Sequence, residues 1–388
     1  MLFIVTLPFG YTMLPDFGAM LQPASEKIAA VIGESIFGLD SPFVGKIHSD
    51  SQGMYVICAT SVFVSCVVGL LWTVLVKRTI SEKQRYLFVT FVRYYLALSL
   101  FKYGFDKILL NQFPNPEANL LYTSFGNLTP DIMYWSTMGV SREYSVFSGF
   151  MELIPAALLL FRRTSVAGGL IAFFVLLNVV VINFGFDVTV KLYSMFLLML
   201  AMIVLFSEYR KILALLSIHW TEKTEIRFNG KSIWRKSYPY LKTAVIILFL
   251  AESILPLLKQ TVMAETLTGG WEVIDQEGPD HPFRNIDFSP TLDRIFFHSR
   301  GYFIMQNERG DFNDFKAEVS DTASVLIVRD RMDKALMKFS LADNNKILTL
   351  EGDFFGSWLR IEAKRIFTDD LSANKREFHW TAEGVAGG

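Results

Sequence analysis

Cysteine is nearly missing from this 388-residue chain: there are two, Cys58 and Cys66, and both fall inside one apolar run. The polar carboxy-terminal part has none, which excludes a structural disulfide there, a Cys-x-x-Cys redox centre and a thiolate-bound zinc or iron–sulfur site. Histidine is scarce as well. Five occur, none within a predicted hydrophobic span, so a haem held by two histidines between membrane helices is not expected. No flavin motif is present. A charge excess of either sign is also lacking, since 37 Lys and Arg face 38 Asp and Glu. That balance supplies no broad basic field for a nucleic-acid partner.

What the chain has in quantity is apolar surface: 52% of its residues are hydrophobic and 35 are Phe. Such a share predicts an integral membrane protein with a sizeable soluble part. Seven spans are predicted, at residues 1–14, 53–76, 86–110, 144–161, 166–185, 190–206 and 243–258. The first is short, with no basic region before it and no small-residue cleavage site after it. It reads as a membrane helix with a truncated start rather than a removable signal. Residues 15–52 are polar, with an interfacial helix expected at 25–37.

Short basic loops set the orientation. Lys77, Arg78, Lys83 and Arg85 mark one cytoplasmic loop, Arg162 and Arg163 a second, and the basic stretch 207–242 a third. The amino terminus is then cytoplasmic, and residues 259–388 lie outside the inner membrane of a bacterium, in the periplasm. The expected fold is a membrane α-helical bundle of about seven spans with a central four-helix unit, followed by a small all-β extracytoplasmic domain. Its parts are the amino-terminal spans with a periplasmic loop (1–85), the four-helix domain (86–206), a basic loop with the last span (207–258) and the β-rich domain (259–388). In that last part GGWEVI, DRIFFH, YFIMQN, KAEVSD, SVLIVRD, LMKFSL, KILTLEG and WLRIEAKRIF alternate β-branched and aromatic residues between turn-prone stretches. A small antiparallel barrel or sandwich follows, with a filled core as the default.

Charges inside the central spans are costly at membrane depth, so their retention points to a task. RYYLALSLFKYGFDKILLNQFPNP places Lys102, Asp106 and Lys107 within six residues. Arg93, fourteen residues before Lys107, shares its face about 21 Å away along the axis, and Tyr103 sits one turn before Lys107. Two roles are open to Lys107: snorkelling to outer headgroups, or turning inward to a carboxylate or a carbonyl-bearing ligand. Glu152, about 12 Å into its span, must be protonated, hydrated or paired, with Arg93, Lys102, Lys107 and Lys191 as candidate partners. A structural ion pair, a ligand or proton site and a lipid-exposed side chain are all open to it. Asn178 and Asn183 add amides that interhelical hydrogen bonding also explains. Asp187 and Lys191 bracket an outer turn, and this convergence of polar groups suggests an outward-opening pocket.

These stretches, with LYTSFGNLTPDIMYWSTMGVSREYSVFSGFMELIPAALLLFRRTSVAGGL and NVVVINFGFDVTVKLYS, resemble the DoxX-type membrane family in its long bacterial form. The resemblance carries over to Tyr103, Gly104, Lys107, Gln112, Phe113, Pro114, Gly139, Ser141, Glu152, Arg162, Arg163, Thr164, Asn178, Asn183, Asp187 and Lys191, and includes a terminal EFHWTAE piece. It implies an association with quinone-linked redox complexes. More distantly, the membrane part is similar to that of the vitamin K-dependent γ-carboxylases, where a lysine acts in a Gly-x-x-Lys arrangement, here Gly104 and Lys107. Both resemblances imply a quinone or other isoprenoid lipid as ligand. The expectation is a quinone- or lipid-binding subunit of a redox-linked membrane complex, with Lys107 and Glu152 in the acting roles and Arg93, Tyr103, Asn178, Asn183, Asp187 and Lys191 around the ligand. No haem, flavin, iron–sulfur or metal centre is expected within the chain itself. Membrane lipids and a protein partner are. The alternative is a non-enzymatic scaffold or assembly protein whose periplasmic β-domain docks a partner.

Overall fold

The structure, a computed structural model, describes residues 17–39, 49–76, 81–209, 263–278, 291–320, 324–330, 333–369 and 371–374, with isolated positions between 240 and 251. The expected first span, most of the last one, the basic stretch after residue 209, His281 and His379 lie outside the described residues. The chain divides into two compact units: Met1–Gln112 with Glu143–Leu258, and Phe113–Arg142 with Lys259–Gly388.

The first unit is helical. Its described helices are α1 (Phe17–Phe37), α2 (Gln52–Val76), α3 (Glu82–Ile108), α6 (Arg142–Leu159, its first residue in the other unit), α7 (Ser165–Gly185) and α8 (Lys191–Ser207), while α4 (Ala118–Leu121) and α5 (Pro130–Val140) belong to the second unit. Helix α3 starts at a capping box in which Ser81 Oγ accepts from the Gln84 amide and the Gln84 side chain accepts from the Ser81 amide. Apolar residues of α3, α6, α7 and α8 share one core, including Leu96, Leu100, Leu159, Leu176, Leu197 and Val204. Gly168 and Gly169 keep α7 tight on its neighbours: a Cβ at Gly168 would meet Leu158 and Leu159, and one at Gly169 would meet Val204 and Leu205.

A bundle of seven spans is not what these helices form. Among the described residues two helices are long and apolar enough to cross a membrane, Gln52–Leu75 within α2 and Ser165–Gly185, which is α7. Helix α3 has the length, 27 residues, but carries Glu82, Lys83, Arg85, Arg93, Lys102, Asp106 and Lys107. Helix α6 holds Arg142, Glu143, Glu152 and Pro155 in 18 residues. The 17 residues of α8 reach about 26 Å, short of a ~30 Å hydrocarbon layer. Part of the apolar runs in α3, α6 and α8 is buried in the shared core, while Phe88, Phe147, Phe150 and Phe206 remain exposed.

The second unit is a closed barrel of eight antiparallel strands in chain order, β1 (Gly269–Glu277), β2 (Leu292–His298), β3 (Tyr302–Asn307), β4 (Phe312–Ser320), β5 (Val325–Asp330), β6 (Asp333–Ala342), β7 (Ile347–Phe354) and β8 (Ser357–Ile366). Closure is made by β1 on β8, with a bulge between Val273 and Asp275. Alternation drives the core: Leu359, Ile361 and Ala363 on β8 are fully buried beside Leu348, Leu350, Trp271 and Phe303. The β7–β8 hairpin turns on two residues, Phe355 and Gly356, both with positive φ, as a tight turn between twisted strands demands.

Residues 113–142 cover the outside of this barrel. Ala118 packs with Phe296 and Ile304, whose side chains point away from the barrel interior, and Tyr122 and Tyr302 flank them. Glu117 anchors the segment: its carboxylate accepts from the Ser299 amide (2.9 Å) and from the Ser299 hydroxyl, and lies 3.4 Å from His298 Nδ1. Phe113 is buried under the rings of Tyr134 and Trp135. Gly139 is required by close approach, since a Cβ there would fall 2.1 Å from the Pro114 carbonyl oxygen. Burial holds the His298 imidazole below its ordinary pKa, and its Nδ1 accepts from the Arg300 amide, as the neutral ring can.

Two outcomes follow from this anchor. Glu117→Ala leaves the Ser299 amide without its acceptor at a cost of about 1–3 kcal/mol, so hydrogen exchange at Ser299 accelerates while the amides of β5–β7 keep their protection. His298 takes up its proton later in the folded than in the unfolded state, so stability is full above the ordinary histidine pKa of 6.5 and falls as pH drops below it. His298→Gln flattens the acidic limb of the stability profile measured by chemical denaturation.

Candidate functional site

Helices α3 and α6 run antiparallel. Tyr86 meets Arg162 (guanidinium carbon 5.3 Å from the ring centre), Tyr94 Oη reaches the Leu160 carbonyl at 3.5 Å, and Gly104 meets Gly149, so numbers rise along one helix as they fall along the other. At the glycines the backbones touch. A Cβ on Gly149 would lie 2.7 Å from the Gly104 carbonyl oxygen, and one on Gly104 would lie 2.7 Å from Leu153 Cδ2 and 3.0 Å from the Gly149 oxygen.

Each glycine precedes a charged residue by three: Gly104-x-x-Lys107 on α3 and Gly149-x-x-Glu152 on α6. Helical side chains lean toward the amino terminus of their own helix. In an antiparallel pair the two residues beyond the crossing therefore lean toward each other across it. Lys107 Nζ donates to Glu152 Oε1 at 2.6 Å, with Lys107 5% and Glu152 3% exposed. The other carboxylate oxygen, Oε2, has no hydrogen-bond partner among the described residues.

Aromatic rings border the pair. The Tyr103 ring centre is 5.8 Å from Lys107 Nζ and 6.0 Å from the Tyr193 ring of α8, and Phe196 lies beside Tyr95 and Tyr193. Tyr193 Oη donates to Ser99 Oγ at 3.3 Å, tying α8 to α3. Nearby on α3, Lys102 pairs with Asp106, and the Asp106 carboxylate also accepts from Asn111 Nδ2 at 3.3 Å.

Among the four candidate cations, the structure pairs Glu152 with Lys107. The remaining residues singled out in the sequence divide. Asn183 is buried, with its Nδ2 unpartnered among the described residues, whereas Asn178 is exposed. Asp187 and Lys191 form their own ion pair at 2.7 Å, with Asp187 largely exposed and in the left-handed region (φ 54°). Arg93 is buried but stands about 21 Å from Lys107 along α3, and so belongs to another place. One residue that sequence reading passed over is Asp50, whose carboxylate accepts from the Lys191 (2.8 Å) and Leu192 (3.0 Å) amides and so caps α8 from 141 residues away. No local signal marks such a long-range cap. Among the described residues no group of three His, Cys, Asp or Glu is placed to hold a metal ion.

No family model matches the chain, and no solved structure matches it. Over 132 residues it is 32% identical to the uncharacterized protein YwoB of Bacillus subtilis, an alignment spanning 78% of that protein. The chain belongs to the YwoB family. The alignment takes in 32% of the present chain, so the YwoB likeness concerns one portion of it.

In this YwoB-family chain the buried pair has a measurable signature. Glu152→Leu or Lys107→Met alone strands the opposite charge and costs about 3–5 kcal/mol, whereas the double replacement is near neutral. Unfolding of the purified protein in a double-mutant cycle checks this. A double variant as unstable as the sum of the singles shows that the two charges do not act as a pair.

Proposed function

We propose that the Lys107–Glu152 site binds a quinone or comparable isoprenoid lipid, and that the chain serves as a ligand-binding subunit of a redox-linked assembly in the bacterial inner membrane. The observation that carries this reading is the unpartnered, buried Glu152 Oε2 beside the Lys107 ammonium. A protein interior that leaves a carboxylate oxygen unsatisfied carries a cost of about 1–3 kcal/mol, which a hydroxyl-bearing ligand removes. Lys107 offers donors to a carbonyl oxygen while Oε2 accepts from a hydroxyl, so the two sides of one pair suit a ligand that interconverts between carbonyl and hydroxyl forms. The rings of Tyr103, Tyr193 and Phe196 favour a flat, apolar head group.

Membrane residence is supported by α2 and α7. Val62, Phe63, Val64, Leu70, Leu71 and Trp72 of α2, with Phe174 and Val181 of α7, expose large apolar side chains that water would not favour. The end of the bundle that bears Arg85, Arg162 and Arg163 faces the cytoplasm under the positive-inside tendency. With no flavin, haem or iron–sulfur motif in the sequence, redox equivalents pass to a separate protein. The DoxX-like stretches named above point the same way.

The test is recovery of the ligand. Protein purified in lipid nanodiscs, extracted with organic solvent and analysed by mass spectrometry, is expected to yield a stoichiometric quinone or isoprenoid lipid. Lys107→Met and Glu152→Gln reduce that yield about tenfold or more, as loss of a charge-assisted hydrogen bond to the ligand implies. Equal recovery from wild type and both variants, or none from any, overturns the proposal.

A further inference from the structure

Arg93 is the buried cation that the Lys107–Glu152 site does not use. It is 6% exposed near the middle of α3, and its Nε makes no hydrogen bond among the described residues. No ion pair reaches it among those residues, and the one charge-related neighbour in place is the Tyr94 ring, 5.5 Å from the guanidinium carbon. A guanidinium keeps its positive charge even when buried. A fixed buried charge of this kind requires an anion.

Its surroundings say which. Tyr86, Thr90 and Arg93 follow at i, i+4 and i+7 and share one face of α3. On the Tyr86 ring lies the guanidinium of Arg162, from the end of α6. Tyr86 and Arg93 stand about 10 Å apart along α3, so the two guanidinium groups lie along one face of it. The stem of Arg93 leans toward the end of α3 at which Arg162 sits. At this end Lys83, Arg85 and Arg163 add further positive charge, Arg85 reaching the Ser207 carbonyl of α8 at 3.4 Å, against Glu82 and Glu208.

We propose that Arg93 and Arg162 together hold the phosphate of an anionic phospholipid, taken in along the α3–α6 seam from the basic end of the bundle. A guanidinium matches a phosphodiester by two parallel N–H···O bonds, and two of them satisfy its non-bridging oxygens. Selectivity for an anionic lipid follows from the rest of the surface: the choline of a zwitterionic head group would face Arg85 and Arg163, whereas a glycerol head group meets no like charge. The seam also fits the ligand's other half, since the acyl chains can continue over the apolar face that α7 exposes. This inference rests on residence in a bilayer, and on nothing at Lys107.

Full-length protein in detergent micelles is examined by native mass spectrometry and thermal melting with phosphatidylglycerol, phosphatidylcholine or inorganic phosphate added. Phosphatidylglycerol alone is expected to remain bound and to raise the melting temperature. Arg93→Gln weakens that binding about tenfold, Arg93→Lys less so, because it keeps the charge without the fork. Should Arg93→Gln fail to fold, Arg162→Gln at the exposed mouth gives the same direction of change, while Arg329→Gln on the barrel gives none. Equal stabilisation by phosphatidylcholine or by inorganic phosphate overturns the assignment, as does undiminished phosphatidylglycerol binding in both Gln variants. The small molecule recovered with Lys107 and Glu152 is unchanged by Arg93→Gln, which keeps the two sites' fates separate.

Discussion

The contact between Gly104 and Gly149 brings the α3 and α6 backbones nearer than any side chain would allow, and the Lys107–Glu152 bond is built on that approach. Charge in a medium of low polarisability is unforgiving of distance, so a 2.6 Å bond between two buried groups demands a fixed helix separation. Glycine at both positions supplies it. The antiparallel run then matters as much as the spacing: in a parallel pair the two side chains would lean the same way along the seam, and the ammonium and carboxylate would not converge.

The rest of the helical unit maintains this geometry. Helix α8 is held at its start by the Asp50 carboxylate on its first amides and by Tyr193 on Ser99, and its Tyr193 ring meets the Tyr103 ring that borders Lys107. Gly168 and Gly169 let α7 close against both α6 and α8. The small residues are therefore concentrated where helices must meet, and the polar ones where a second group is waiting for them. Among the exceptions are Glu152 Oε2, Asn183 Nδ2, Gln112 Oε1 and Arg93 Nε, buried without partners among the described residues.

Sequence reasoning reached the charged residues because their cost is local and large. Lys107 and Glu152 stand out in apolar runs whatever the fold, whereas the paired Gly-x-x-Lys and Gly-x-x-Glu spacing acquires its meaning only once the helices are seen to cross there. The number of spans was not legible in the same way. An apolar stretch reports exclusion from water and does not distinguish lipid from neighbouring helices; Leu96, Leu100, Leu159 and Leu197 are excluded by one another. Asn178 and Asn183 look alike in sequence, five residues apart on one helix, yet one is exposed and one buried, because rotation about the α7 axis is set by tertiary packing. In the barrel, the alternation Leu359, Ile361, Ala363 announces a strand with one inward face. Whether such strands close into a ring or stack as two sheets turns on β1 meeting β8, a pairing over about ninety residues that no local pattern encodes. The cover of residues 113–142 over Phe296 and Ile304 was equally hidden, since a loop rich in Pro and Asn gives no sign of what it rests on.

Closure by β1 and β8 also dictates timing. Until the final strand has been made, the barrel is an open sheet with two unsatisfied edges, and Phe296 and Ile304 follow the segment that covers them by about 180 residues. The hairpins from β2–β3 to β7–β8 are local, whereas ring closure by β1 on β8 is long in sequence, so that step is slow and comes last. Emerging strands in that interval are exposed to misassociation, and a cell making this protein has reason to shield them until the ring is shut.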